Sequence, residues 1–255
     1  MMDLKKLESA LVKLKAVDLT MENADDLIHD IIKQDIVKFA FPNRILEPGF
    51  IFFRSRNNYS IPEFTTINDL SYRKDIANIK EYGRANKPNQ AIFYCADSKI
   101  TAIGETSSAA RCEKYKTINE FSITTGVWET IDYLKLALIV NNQDAQKKNE
   151  IIKGFGEEVE KITKNIFVGE ANLIQTFLNF LSNEFAVYTN CNHLLYKICC
   201  AFSYYIYKNS DGFIYPSVQR EFDGFNIALK PEVVEKLKLV EATKDTFRKT
   251  DEMTY

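Results

Sequence analysis

The chain has 255 residues, a formal net charge of −2, and 45% hydrophobic and 27% charged residues. This composition is typical of a soluble globular protein, and the weak negative charge excludes a global basic field that would recruit nucleic acid. Five cysteines do not indicate a disulfide framework, and no stretch approaches the roughly 20 apolar residues that span a bilayer. We therefore expect a cytoplasmic protein with neither a membrane nor a nucleic acid as a default partner.

The first 45 residues carry two amphipathic helical patterns. Leucines at 4, 7, 11 and 14 predict the first helix, and the second runs from Asn23 to Ala40, where Pro42 stops it. Together they predict a helical hairpin over residues 1–45 beside a main domain over residues 46–245. Packing of this appendage against the domain is favoured over docking of a partner.

Residues 50–56 predict a short strand in which Arg54 and Arg56 point to the same face. Two arginines on one face are costly to bury unless an anion meets them. Exposure at a sheet edge is the alternative. The polar segment 57–82 that follows is predicted to be a cover over a site or a long loop.

Residues 83–107 predict a polar loop that carries Arg84, a buried strand over 91–96, and a helix capped by Asp97 or Ser98. Glu105 lies on the polar side of that helix, where a solvated glutamate is the simplest interpretation. Gly104 beside it costs roughly 1 kcal/mol relative to alanine in a helix. Close approach of a ligand would give this glycine a purpose.

The rest of the chain predicts a single α+β domain. Strands are expected at 121–128, 133–141, 213–215, 225–229 and 237–241, and helices at 145–164, 171–187 and 193–207. Two short patterns do not meet the requirements of the motifs that they resemble. The glycines at 154 and 156 lack the third glycine of a dinucleotide-binding fingerprint, and the Cys191–Cys200 stretch has the wrong helical spacing for zinc. No metal site is predicted.

Several short blocks resemble the RES-domain family, which is named for an arginine, a glutamate and a serine. They are Gly-Arg-x-Asn-x-Pro from Gly83, Tyr-x-Ala from Tyr94, and Ala-x-x-Glu ending at Glu105. Segment 52–56 upstream and segments 211–218 and 224–229 downstream also agree with the family, and all the blocks occur in the family's order. The resemblance implies an ADP-ribosyltransferase-like mixed β core flanked by helices, and Ala85 departs from it because the family usually has an aromatic residue there.

The resemblance also implies a set of site residues. Those matched to catalysis are Glu105, Arg54 and Tyr94, and those matched to substrate binding are Arg84, Ser217, Arg56 and Asn86. Arginine suits phosphate oxygens, tyrosine offers a flat face for a ring, and a carboxylate stabilises positive charge at an anomeric carbon. Ser217 is expected to brace an arginine, contact the ligand or cap a turn.

The function implied by the resemblance is cleavage of the nicotinamide–ribose bond of NAD by hydrolysis or phosphorolysis. NAD would be the substrate, phosphate a second substrate, and no cofactor would be needed. Relatives of this kind act as toxins restrained by a cognate antitoxin. Two alternatives stay open: an ADP-ribosyltransferase that modifies a macromolecule, and a catalytically silent module that binds a partner.

Overall fold

The computed structural model describes residues 3–36, 41–58, 63–107, 120–166 and 169–248. Their centre is one sheet of strands β1 (Asn43–Leu46), β2 (Ile51–Asn57), β3 (Phe93–Ala96), β4 (Glu120–Thr130), β5 (Leu134–Leu138), β6 (Gly212–Pro216), β7 (Phe225–Leu229) and β8 (Leu237–Arg248). The order across the sheet is β1-β5-β6-β7-β3-β2-β4-β8. Strands β5 and β6 run parallel, and the other described pairs are antiparallel.

Helices flank this sheet. They are α1 (Leu4–Ala16), α2 (Ala24–Ile31), α3 (Ile67–Leu70), α4 (Lys99–Thr106), α5 (Gln143–Lys148), α6 (Glu150–Ile166), α7 (Ala171–Phe185) and α8 (Lys197–Ile206). Within the described ranges, every helix is too short or too polar to cross a lipid bilayer. The expected α+β class is confirmed. The finer likeness to ADP-ribosyltransferases stays a prediction.

The two N-terminal helices pack on the rest of the fold. Helix α1 contacts α7, and α2 contacts α8. Leu7 and Leu14 on α1 are fully buried in the same apolar cluster that contains the centre of the sheet. The two predicted amphipathic helices are therefore confirmed, although α2 passes into a π-helical turn over Ile32–Ile36 and residues 37–40 lie outside the described ranges. The division of the chain at residue 45 stays a prediction.

Two elements differ from the sequence prediction. The helix expected over 145–164 is split at Asn149, whose side-chain oxygen accepts hydrogen bonds from the first N–H groups of α6. Strand β8 continues to Arg248, well beyond the expected 237–241, because its polar residues pair along the whole of β4. Alternation of exposed and half-buried residues along β8 is typical of a strand with one solvated face.

The sheet order determines where the site forms. Strand β3 lies between β2 and β7, and helix α4 follows β3 and packs on β2, β3, β4 and β7. The side chain of Ser98 accepts a hydrogen bond from the N–H of Thr101 and caps α4, which confirms that predicted cap. Residues from positions 54, 94, 105 and 226 are thereby brought to one place.

Candidate functional site

A cavity of about 460 Å³ lies beside β2, β3, β7 and α4. Its charged lining consists of four arginines and one carboxylate, which are Arg54, Arg56, Arg73, Arg84 and Glu105. Tyr94, Tyr196, Tyr215 and Asn226 line it as well. The cavity therefore joins an excess of positive charge to several aromatic rings.

Arg54 is held in place by backbone carbonyl groups. Its Nε donates to the carbonyl of Ser71 at 3.1 Å, and its Nη1 donates to the carbonyl of Tyr94 at 2.6 Å. The guanidinium also lies 5.2 Å from the centre of the Phe93 ring. Burial, followed by the charge of Arg56, lowers the pKa of Arg54 to about 10, so this side chain is still positively charged at neutral pH.

Arg56 lines the cavity on the same face, as alternation predicts. It donates a hydrogen bond from Nη1 to the carbonyl of Asp69 and lies 5.0 Å from the centre of the Phe64 ring. Burial lowers the pKa of its guanidinium as well. The described part of the predicted cover, residues 63–82, is thus fastened to β2 by arginine side chains that bind its carbonyl groups.

Tyr94 fixes the loop that carries Arg84. Its hydroxyl accepts a hydrogen bond from the N–H of Ala85 at 2.9 Å and donates one to Oδ1 of Asn86 at 2.8 Å. A Cβ on Gly83 would lie 2.3 Å from that Oδ1, so only glycine fits there. Asn86 was predicted to bind substrate, but the structure places it within the loop and outside the cavity lining, because its amide is used by Tyr94 and by backbone carbonyls.

Arg84 is 7% exposed and points from this loop into the cavity. Its Nη2 donates to the carbonyl of Val187 at 3.0 Å, and its guanidinium lies 4.7 Å from the centre of the Tyr196 ring. Its Nη1 is buried and has no hydrogen-bond partner among the described residues. A buried charged donor without an acceptor is costly, and a bound anion would satisfy it.

Glu105 is the carboxylate of the cavity. Its Oε1 accepts hydrogen bonds from Oγ of Ser217 at 2.6 Å and from Nδ2 of Asn226 at 2.8 Å. Ser217 was expected to brace an arginine, contact a ligand or cap a turn. It is fully buried and its hydroxyl donates to the glutamate, while contact with a ligand stays a prediction. The interpretation of Glu105 as a simply solvated side chain is wrong, because fixed donors from two other segments hold it.

Gly104 lies against the side chain of Arg220. A Cβ at this position would lie 2.9 Å from Cδ of Arg220. The glycine leaves room for the side chain of Arg220, and the close approach of a ligand to it stays a prediction.

The sequence interpretation missed Arg73, Tyr196, Tyr215 and Asn226 as lining residues. Of these, Asn226 carried a usable signal. It is a polar amide inside the apolar strand β7, it is 4% exposed, and buried polar side chains are nearly always hydrogen-bonded. Its partner could not be named without the strand order.

Comparison with known proteins gives one family. No curated protein and no solved structure matches the chain. The family model described as the alpha-kinase family matches residues 79–214, which is more than half of the chain. This range contains Arg84, Tyr94 and Glu105, while Arg54 and Asn226 lie outside it.

The match overturns the assignment to the RES-domain family. The cleavage of NAD, the role as a toxin, the ADP-ribosyltransferase alternative and the silent RES-type binding module depended on that resemblance and fall with it. The quoted blocks are only a few residues long, and two of them have local structural explanations. Gly83 is required by loop packing, and Ser217 is a buried partner of Glu105. The chain belongs to the alpha-kinase family.

Proposed function

We propose that this protein is a kinase that transfers a phosphoryl group from a nucleoside triphosphate to a hydroxyl group of a protein. The chain belongs to the alpha-kinase family, and one observation on the cavity supports this proposal. Arg54, Arg56 and Arg84 converge on it, and none of them forms an ion pair with a described carboxylate.

Guanidinium groups suit the phosphates of such a substrate. Arginine presents a planar, permanently charged fork that matches phosphate oxygens, and hydrogen bonds between two charged groups are about twice as strong as neutral ones. In phosphoryl transfer, catalysis is mainly positioning plus stabilisation of negative charge on the phosphoryl oxygens. The arginines of the cavity would supply both.

Glu105 is proposed to accept the proton of the attacking hydroxyl. The hydroxyl oxygen forms a bond to the terminal phosphorus, the bond from that phosphorus to the bridging oxygen breaks, and the hydroxyl proton passes to the carboxylate. Ser217 and Asn226 hold the carboxylate in one orientation. Tyr94 and Tyr196 line the cavity, and we propose that the base of the nucleotide packs beside their rings.

Kinases ordinarily use Mg²⁺, which binds through one or two carboxylates together with phosphate oxygens. The residues of this cavity do not fit such a site well. In the described ranges no three histidine, cysteine, aspartate or glutamate side chains cluster as metal ligands. The carboxylate in the lining is Glu105, and its Oε1 already accepts two hydrogen bonds. The proposed mechanism therefore assigns no step to a metal ion.

The test is transfer of label from γ-labelled ATP to added casein or to the chain itself. We expect wild type to transfer label and Glu105→Gln to lose about 100-fold or more of that rate. Glu150→Gln is the matched control, because Glu150 is exposed on α6 and pairs with Lys153. Absence of transfer by wild type, or equal transfer by Glu105→Gln, contradicts the proposal. The expectations of a protein partner and of a cytoplasmic location stay predictions.

A further inference from the structure

The cavity concentrates positive charge in a chain that is negative overall. Four arginines face one carboxylate in its lining, whereas the whole sequence carries a net charge of −2. Arg73 is paired with Asp75, but Arg54, Arg56 and Arg84 form no ion pair with a described residue. An anionic ligand could therefore bind to these charges.

These three arginines are positioned by neutral groups. Backbone carbonyls accept from each of them, and an aromatic ring lies about 5 Å from each guanidinium. Such contacts fix the side chain without cancelling its charge. Because the side chains are already ordered, little rotamer entropy is lost when an anion binds.

The donor geometry favours an extended anion. Arg54 and Arg56 are two residues apart on β2, which separates their Cα atoms by roughly 6.6 Å. Arg84 comes from the loop before β3, and its buried Nη1 has no hydrogen-bond partner among the described residues. Three guanidinium groups from two segments can bind linked phosphates at more points than they could bind a single carboxylate or phosphate.

A divalent cation normally neutralises the phosphate oxygens in a kinase. Here the surroundings of the carboxylate argue against that arrangement. Oε1 of Glu105 is met by two hydrogen-bond donors, Ser217 and Asn226, and donors of this kind stabilise a carboxylate without a metal. The arginines already carry the positive charge that the cation would bring.

We propose, on the basis of the proposed function, that the cavity binds the linked phosphates of its nucleotide directly through Arg54, Arg56 and Arg84, with no divalent cation between protein and phosphate. The ligand class is an inorganic or nucleoside polyphosphate, and the arginines replace the metal as the neutralising charge.

The experiment is calorimetric titration of inorganic pyrophosphate into the full chain, once with EDTA and once with excess Mg²⁺. We expect binding in EDTA, with a Kd no more than about threefold weaker than in Mg²⁺. Arg56→Gln and Arg84→Gln should each weaken binding by about tenfold or more, because each removes a charged hydrogen-bonding group. Arg248→Gln is the control, since Arg248 is 77% exposed on β8 and pairs with Glu120.

Because Arg84 is buried, its substitution by glutamine could unfold the protein. We therefore also titrate Arg84→Lys, and circular dichroism checks that every variant is folded. A folded Arg84→Lys that still loses affinity identifies the fork, and not the charge alone, as the feature that binds. Binding that needs Mg²⁺, or that survives in Arg56→Gln and Arg84→Gln, overturns the inference. So does an absence of pyrophosphate binding in both buffers.

This outcome is separable from that of the kinase assay. Label transfer with pyrophosphate binding only in Mg²⁺ overturns the inference and leaves the function standing. Pyrophosphate binding in EDTA without label transfer under any condition retains the anion site and overturns the function.

Discussion

Asn226 on β7 donates a hydrogen bond of 2.8 Å to Oε1 of Glu105 on α4, although the two residues are 121 positions apart in the chain. The contact exists because β7 lies beside β3, the strand that leads into α4. Ser217, just after β6, reaches the same oxygen. The carboxylate proposed for catalysis is therefore positioned by the C-terminal part of the sheet.

If Asn226 acts only through Glu105, the two substitutions will not be additive. We expect Asn226→Ala to lower phosphoryl transfer by about tenfold, because the carboxylate then loses a fixed donor, and Glu105→Gln to lower it by about 100-fold. The double variant should be no slower than Glu105→Gln alone. Asn141→Ala is the control, since Asn141 is a buried amide outside the cavity lining. Additive losses would mean that Asn226 acts independently of Glu105.

Substitution of two glycines by alanine is expected to have opposite effects on stability. A Cβ on Gly83 would clash with Asn86 and lie 2.7 Å from the Tyr94 hydroxyl, whereas a Cβ on Gly154 meets nothing within 4 Å. Gly83→Ala should lower the free energy of unfolding by about 1–3 kcal/mol through overpacking. Gly154→Ala, inside α6, should raise it by about 0.5–1 kcal/mol. Urea denaturation measures both, and a harmless Gly83→Ala would refute the tight loop.

Asp97 is expected to make stability depend on pH. Its Oδ1 is buried without a hydrogen-bond partner among the described residues, and burial raises the pKa of its carboxyl above 3.8. The folded state then favours the protonated form, so the carboxyl destabilises the fold increasingly as pH rises from about 3.8 through the raised value. Asp97→Asn should melt at a higher temperature than wild type at about pH 7, and the gap should close toward pH 3.8.

Thermal melts over this pH range check the prediction. Asp144→Asn is a matched control for the loss of one negative charge, because the Asp144 side chain is 73% exposed. A gap between Asp97→Asn and wild type that is the same at every pH would show that ionisation of Asp97 is not the cause.

The packing of α1 can be tested with the single tryptophan of the chain. Leu14 is fully buried on α1, and Trp128 is 2% exposed on β4 of the sheet. Leu14→Ala should lower the free energy of unfolding by about 2–5 kcal/mol. The tryptophan fluorescence and the far-UV circular dichroism should shift together, because the helix and the sheet share one core. Val12→Ala, at a position that is 68% exposed, should shift neither.

A fluorescence midpoint that stays in place while the helical signal shifts would support a separable appendage over residues 1–45. Coincident shifts would show that the N-terminal helices and the sheet unfold as one unit.

Elements set by local chemistry could be predicted from the sequence. The cap at Ser98 follows from a hydroxyl next to a helix, and the bounds of β7 follow from a short apolar run between turn residues. The full length of β8 could not be predicted in this way. Its C-terminal half is polar, and it is a strand only because β4 pairs with it.

Some features of individual site residues could be predicted from the sequence, but the hydrogen bonds between distant site residues could not. Arg54 and Arg56 share a face because strands alternate, and a short-range pattern is enough to predict that. The pairing of Glu105 with Ser217 and Asn226 depends on the order of strands, which local patterns do not encode. The same limit applies to Gly104, whose neighbour Arg220 is distant in the chain. Short blocks of matching residues also suggested the wrong family, because such blocks recur where a turn or a cap needs them.

The central position of β7 has a consequence for how the protein is made. Strand β7 joins the sheet between β6 and β3, so Asn226 reaches Glu105 only after residues 225–229 have been synthesised. Until then, the arginines of β2 and of the loop before β3 have been translated without the residues that complete the cavity around them. A nascent chain would therefore carry the arginines of the cavity before it carried a fixed carboxylate, and the proposed phosphoryl transfer would begin only after β7 had joined the sheet.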